Sequence, residues 1–208
     1  NITTEQQFLY GSQGFLAPLE DLIKTHTVNI KKVFSEDPNV PRQLTAPDGH
    51  VYALSERPVA YHSMLSQKLW INIDWLERLG LEMPTTTDEF HTVLKAFRDQ
   101  DANGNGDPND EIPYSGNRTS WRGRPGAFVM NAFIYDDGYG DGTNSHRMVV
   151  NNGVISPAFT TDEWREGLKF LHKLYEEGLF DDQAFVMDQN QLRTLNNGGA
   201  EGPARVGA

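Results

Sequence analysis

An α/β fold is the expectation for this chain, because strand-like runs alternate with capped, amphipathic helices along its length. Two helix starts carry the capping-box pattern, Thr86-Thr87-Asp88-Glu89 and Thr160-Thr161-Asp162-Glu163. Between them, Asn151-Asn152-Gly153 separates Val149-Val150 from Val154-Ile155, and Asn-Gly is a strong short-range hairpin signal.

In chain order, residues 18–24 predict a short helix with Pro18 at its first position and Leu19, Leu22 and Ile23 on its apolar side. A second short helix follows Asn29, with Ile30, Val33 and Phe34 on one face, and Pro38 and Pro41 punctuate what comes after. Pro47-Asp48-Gly49 is a turn signal, and residues 50–54 are a strand candidate. Residues 68–72 form the next predicted strand, apolar enough to lie inside a sheet. Asp74 is placed to cap a helix that Gly80 closes. The helix opened by Thr86 carries Phe90, Val93, Leu94 and Phe97 at helical spacing, and residues 125–135 are also expected to be helical. The longest helix runs from the second capping box to Gly178, with Trp164, Leu168, Leu171 and Tyr175 as its apolar stripe. Trp70, Trp75 and Trp164 fit these strand and helix stripes and are assigned to the core.

Bulk properties narrow the function. The 208 residues carry a net charge of −11, which repels phosphate backbones and argues against a nucleic-acid partner. Cysteine is absent, which removes disulfides, thiolate zinc sites and a cysteine nucleophile. No apolar run approaches the roughly 20 residues that span a bilayer. The chain opens Asn-Ile-Thr-Thr and closes soon after a Gly-rich run, so it is expected to be a piece of a longer protein.

The strongest chemical signal is the loop from Asp101 to Glu111. Oxygen-bearing side chains recur at every second position, Asp101, Asn103, Asn105 and Asp107, and Gly106 stands sixth, where a calcium loop turns sharply. Ca²⁺ accepts such mixed carboxylate, amide and carbonyl donors. The loop departs from an EF-hand, because position twelve is Ile112 and Ile112-Pro113-Tyr114 reads as extended rather than helical. Asp110 and Glu111 must then close the coordination sphere. The expected set is Asp101, Asn103, Asn105 and Glu111 by side chain, Asp107 by its carbonyl, and Asp110 in addition, holding a structural Ca²⁺. A metal-free Asn/Gly/Asp surface loop is the plainer alternative.

The runs Gln67-Lys68-Leu69-Trp70-Ile71-Asn72-Ile73-Asp74-Trp75-Leu76, Leu79-Gly80-Leu81 and Met83-Pro84-Thr85-Thr86-Thr87-Asp88-Glu89-Phe90 resemble the family 1 extracellular solute-binding proteins of ABC transporters. The loop ending Asp110-Glu111-Ile112-Pro113 resembles that of the family's large lipoprotein members, which include alginate-oligosaccharide binders and LipO-like proteins. Trp164-Arg165-Glu166-Gly167-Leu168-Lys169 and Leu174-Tyr175-Glu176-Glu177-Gly178-Leu179 follow the same pattern in order. The resemblance implies a type II periplasmic-binding-protein-like fold of two α/β lobes, with residues 1–58 part of the first lobe and 59–208 the second. It implies a non-enzymatic binding component of an importer, with a carbohydrate ligand, a membrane permease as partner, and an extracellular or periplasmic location. Any membrane attachment would be through a lipid anchor outside this segment.

Sugars offer C–H faces that stack on aromatic rings and hydroxyls that pair with planar polar groups. On that chemistry the candidate ligand residues are Trp121 and Arg122 in a polar, Gly-rich run, Tyr61 and His62 on the interlobe connector, and Tyr135, Asp136 and Asp137 after a helix. Each is weighed against an ordinary surface or core role. Two other classes stay open. A glycoside hydrolase needs two carboxylates at a set separation, which sequence spacing does not reveal, and the chain has no Gly-x-Ser-x-Gly, His-Glu-x-x-His or phosphate loop. A calcium-stabilised carbohydrate-binding or adhesion module would repeat its metal loop, and this chain carries one.

Overall fold

The computed structural model describes residues 2–55, 68–117, 123–136, 147–198 and 204–208. The chain divides into two compact units, Asn1–Met64 and Leu65–Ala208.

Local capping starts the first unit. Thr3 accepts from the Gln6 N–H at 3.2 Å and Gln6 accepts from the Thr3 N–H at 2.9 Å, opening α1 (Thr4–Ser12). Then come α2 (Glu20–His26), α3 (Asn29–Glu36) and α4 (Asn39–Leu44). The prolines at 38 and 41 do not break this region. Pro38 is the cap of α4 and Pro41 lies in its first turn, where a backbone N–H would have no partner within the helix. On α2 only Ile23 is buried; Leu22 faces out. Residues 50–54 are not a strand. Val51 makes a single antiparallel bridge to Thr45. Its other groups serve α2: its carbonyl accepts from the Leu19 N–H at 2.8 Å and its N–H donates to the Glu20 carboxylate.

The second unit begins with the extended run 68–72, in which Leu69 and Ile71 pack on the core while Trp70, between them, is 80% exposed. Alternation along an extended chain explains this: neighbouring side chains leave on opposite sides. Trp75 and Trp164 are buried, so the core assignment holds for two of three tryptophans and fails for Trp70. α5 (Ile73–Leu79) is capped by Asn72, whose Oδ1 accepts from the Trp75 N–H at 3.3 Å, rather than by Asp74, which lies in its first turn. α6 (Thr87–Asp99) starts at the predicted capping box: Thr86 Oγ1 accepts from Glu89 N–H, and Glu89 Oε2 accepts from Thr85 and Thr86 N–H. These bonds, Thr85 foremost, hold the Glu89 carboxyl below its ordinary range. Phe90, Val93, Leu94 and Phe97 are all buried, as their spacing predicts.

α7 is shorter than expected, Pro125–Met130. β1 (Met148–Asn151) and β2 (Val154–Pro157) form the predicted antiparallel hairpin, with left-handed φ of 50° at Asn152 and 80° at Gly153. After a 3₁₀ turn, α8 (Asp162–Glu176) is capped by Thr161 rather than Thr160. Its inner face is Trp164, Gly167, Leu171 and Leu174, while Leu168 and Tyr175 are half exposed. The stripe is rotated from the predicted one because Gly167, a residue with no hydropathy signal, lies against Met130 and Phe133. A second 3₁₀ turn (Asp182–Phe185) and α9 (Gln189–Asn196) follow.

Backbone hydrogen bonds set four extended segments side by side. Asn72 N–H donates to Gly207 C=O at 2.7 Å, Ile112 N–H to Arg205 C=O at 2.8 Å, Ser115 N–H to Ala208 C=O at 3.0 Å, and Asp181 N–H to Tyr114 C=O at 2.9 Å. The bridges Ile112–Val206 and Tyr114–Phe180 are parallel. Residues 204–208 therefore run between 68–72 and 112–115, and helices α5, α6 and α8 supply core side chains to this layer: Trp75, Leu76, Phe90, Val93, Leu94, Phe97 and Leu174 pack with Tyr114 and Leu179. Trp75 meets Phe97 edge-on at 5.2 Å and Phe90 meets Tyr114 at 5.5 Å. Each such fully buried side chain contributes about 1.5–3 kcal/mol.

Candidate functional site

The loop from Asp101 to Glu111 leaves the end of α6 and enters the extended segment at Ile112. Ala102, fully buried, and Asn103, nearly so, anchor its start to the core. Asp101 turns its carboxylate inward: Oδ1 accepts from Asn105 N–H at 3.0 Å and Oδ2 from Gly106 N–H at 2.9 Å. Gly106 has φ of +90°, a conformation that side chains resist, so glycine at the sixth position has the backbone role its place in the motif suggested. Asn103 Oδ1 accepts from Asn105 N–H at 2.9 Å, and Asn105 Oδ1 from Asp107 N–H at 2.7 Å. Asp107 places its carboxylate on the N–H and amide of Asn109.

Asp110 and Glu111 close the loop. The amides of Asn103 and Asn105 donate to the two Asp110 oxygens at 2.8 and 3.0 Å. Glu111 Oε1 accepts from Asn103 N–H at 3.2 Å, while its Oε2 is buried with no hydrogen-bond partner among the described residues. A buried carboxylate oxygen in that condition is a place where a cation or a water belongs. Among the described residues no group of three or more His, Cys, Asp and Glu side chains converges as metal ligands. The donor chemistry nonetheless fits a hard cation: all six residues bear oxygen, and an Asn amide that donates to Asp110 through nitrogen also carries an acceptor oxygen. Two arginines that the sequence reading did not single out support the loop. Arg78 of α5 donates to Ala102 C=O, and Arg205 donates to Asp110 C=O through Nε and Nη2. Neither has a sequence signal, since their partners lie 24 and 95 residues away.

A cavity of about 280 Å³ opens in the second unit. Trp70, Asn72, Ser115, Arg124, Phe128 and Gly207 are among its walls. Arg124 Nε is buried without a hydrogen-bond partner among the described residues. Ser115 Oγ donates to Asp181 Oδ2 at 2.6 Å, and the Tyr114 phenol donates to the C=O of Pro125, another wall residue. Burial alone pushes the Tyr114 phenol well above its usual range, so it stays a neutral donor. Of the candidate ligand residues, Tyr61, His62, Trp121, Arg122 and Asp137 lie outside the described residues. The flanks of the 118–122 run are joined by a bond from Asn117 N–H to Gly123 C=O at 2.7 Å, and Gly123 and Arg124 are cavity walls. Tyr135 is 62% exposed and Asp136 is 3% exposed; neither lines the cavity. The Asn131 amide fixes the Asp136 backbone by donating to its carbonyl at 2.8 Å and accepting from its N–H at 3.1 Å.

A family model described as bacterial extracellular solute-binding protein matches residues 4–201. The chain is 40% identical over 188 residues to the fructooligosaccharide ABC transporter substrate-binding protein FusA of Streptococcus pneumoniae serotype 4, covering 87% of this chain and 33% of that protein. It is 38% identical over 122 residues to the lipoprotein LipO of Bacillus subtilis, covering 57% of this chain and 22% of that protein. The structure of S. pneumoniae FusA in complex with kestose superposes with a TM-score of 0.72 at 35% identity, over 99% of this chain and 40% of that one. A second FusA structure, with fructo-nystose, is described as an EF-hand mutant. The chain thus spans about a third or less of the length of these curated relatives.

Proposed function

The chain belongs to the bacterial extracellular solute-binding proteins, and from that membership we propose that the whole protein is the carbohydrate-binding component of an ABC importer, which captures an oligosaccharide and leaves it chemically unchanged. The observation that carries this reading is the extent and identity of the match to FusA, whose name states a fructooligosaccharide ligand. Short fructose-containing oligosaccharides are therefore the first ligands to test. In this reading residues 1–58 belong to the first lobe and 59–208 to the second, and hinge closure on the sugar signals the permease. The protein works outside the cytoplasmic membrane, as a cell-surface lipoprotein or in the periplasm, with any lipid anchor outside these residues.

Trp121, Arg122, Tyr61, His62, Tyr135 and Asp136 are the proposed sugar contacts. Two observations support the first pair. Gly123 and Arg124, next in sequence, are walls of the cavity. Arg124 also brings a guanidinium to that wall, a donor group of the kind a sugar hydroxyl accepts from.

The second part of the reading is a structural Ca²⁺ held by Asp101, Asn103, Asn105, Asp107, Asp110 and Glu111. Bound there, the ion would supply positive charge that pins the loop between α6 and the extended segment at Ile112. Support comes from the orphaned Glu111 oxygen, the alternating donors and the EF-hand mutant of the relative FusA.

The test is calorimetric titration of the full-length protein with kestose. Saturable binding, a raised melting temperature and kestose recovered intact by chromatography are expected. Release of free fructose would move the protein to the glycoside hydrolases.

A further inference from the structure

Two distant parts of the chain meet at Asp110. Arg205 directs Nε and Nη2 at the Asp110 carbonyl, at 3.3 and 3.2 Å, and its Nε stands 3.6 Å from the Asp110 carboxylate. The same two segments share backbone bonds: Ile112 N–H donates to Arg205 C=O at 2.8 Å, and Gly207 N–H to Ile112 C=O at 2.9 Å. On the opposite side, Gly207 C=O accepts from Asn72 N–H at 2.7 Å. Residues 204–208 are therefore held between the exit of the 101–111 loop and the 68–72 segment. Ala204, Val206, Gly207 and Ala208 from this stretch are cavity walls, as are Trp70 and Asn72 beside it.

The chemistry at Asp110 singles out Arg205. A guanidinium that engages both the carbonyl and the carboxylate of one residue fixes its orientation in a way a point charge does not. The Asp110 carboxylate also takes both asparagine amides of the loop. One residue thus joins the loop's interior to the cavity wall. Arg78 touches the loop too, but at Ala102, and its own helix carries Trp75 and Leu76 into the core. It therefore acts at the loop's entry and not at Asp110.

We infer that Arg205 is the positioning residue through which the state of the 101–111 loop is transmitted to the cavity wall at 204–208. This rests on the calcium reading of that loop. With Arg205 in place, whatever immobilises Asp110 also immobilises residues 205–207. Without it, the backbone bonds at Ile112 still join the two segments, but the direct tie to Asp110 is gone and the neighbouring segment follows the loop less closely. Linkage makes the coupling reciprocal, so an occupied cavity raises the loop's affinity for its cation by the same factor.

Hydrogen exchange of the full-length protein, with calcium and with chelator, tests the inference by mass spectrometry of peptides covering 101–107 and 204–208. In the wild type, calcium is expected to slow exchange in both peptides, the second by about tenfold, within the usual range of coupling between sites. In Arg205→Gln the slowing at 101–107 remains and that at 204–208 shrinks to a small part of the wild-type effect; Arg205→Lys, which keeps the charge without the fork, recovers part of the difference. Equal slowing at 204–208 in wild type and Arg205→Gln overturns the inference, as does a wild type in which calcium protects 101–107 alone. Protection of neither peptide in the wild type removes the calcium reading itself and the inference with it. Protection of peptides from α6 serves as the folding control. If Arg205→Gln loses it, Arg205→Lys alone decides, and full wild-type coupling in that variant counts against the fork.

Discussion

Asp101 receives two backbone N–H groups on one carboxylate, and the loop's turn at Gly106 depends on them. Asp101→Ala leaves both donors to solvent or unpaired. It is expected to cost about 1–3 kcal/mol by urea denaturation and to abolish any calcium-dependent rise in melting temperature. A variant that keeps the full calcium response would remove Asp101 from the ligand set. The His91–Glu177 pair, at 2.8 Å between α6 and the end of α8, makes a pH prediction. The hydrogen bond from His91 is the largest cause holding the Glu177 carboxyl below its ordinary value of 4.5, with burial, the next in size, opposing it. A carboxyl depressed in the folded state stabilises it above pH 4.5, and that contribution is lost as pH falls through the lowered value. Charge attraction from His91, Lys173 and Lys95 adds to the lowering. In His91→Phe the melting temperature should therefore fall less steeply below pH 4.5 than in the wild type. Parallel profiles would show that the pair contributes nothing measurable.

At the scale of elements, capping chemistry and inward-facing stripes govern the response to substitution. Thr86→Ala removes half of a reciprocal cap on α6 and should destabilise by about 0.5–2 kcal/mol in urea melts. On α8 the structure reverses the expectation for two leucines, since the predicted stripe includes Leu168 and omits Leu174. Leu174 is fully buried, and its replacement by Ala should cost about 2–5 kcal/mol. Leu168 is half exposed, so the same change there should stay within about 0.5 kcal/mol. Equal losses at the two positions would contradict the observed orientation of the helix. The observed stripe differs from the predicted one because hydropathy gives a glycine no weight, while packing sets Gly167 against Met130 and Phe133. Residues 50–54 failed as a strand for a related reason: their β-forming side chains were legible, but the partners of the Val51 backbone lie on α2.

Across the whole molecule, the segment 204–208 ties the 101–111 loop, the core and the cavity together. Gly207 makes this plain, since a Cβ there would collide with Phe97 Cδ2 and stand 3.0 Å from Pro113 O. Phe97 is fully buried and has no free direction in which to yield. Gly207→Ala should destabilise by about 1–3 kcal/mol through overpacking and weaken kestose binding, both read from one calorimetric series. Unchanged stability would mean that 204–208 is not held against α6. If calcium binds the native protein alone, at a hundred times its Kd it adds about 2.7 kcal/mol, and chelation lowers the melting temperature accordingly.

Sequence by itself determined the local structure: both helix starts at 86 and 160–161, the Asn-Gly hairpin, the inner face of α6, the alternating oxygen donors of 101–111, and the family. These are properties of residues within a few positions of one another, where backbone geometry fixes which groups meet. Tertiary structure decided what depends on distant partners. It turned Trp70 outward while Leu69 and Ile71 went in, seated 204–208 between two other segments, and brought Arg78 and Arg205 to the loop from 24 and 95 residues away. No short-range rule constrains such pairs, because the chain between them is free until the core closes.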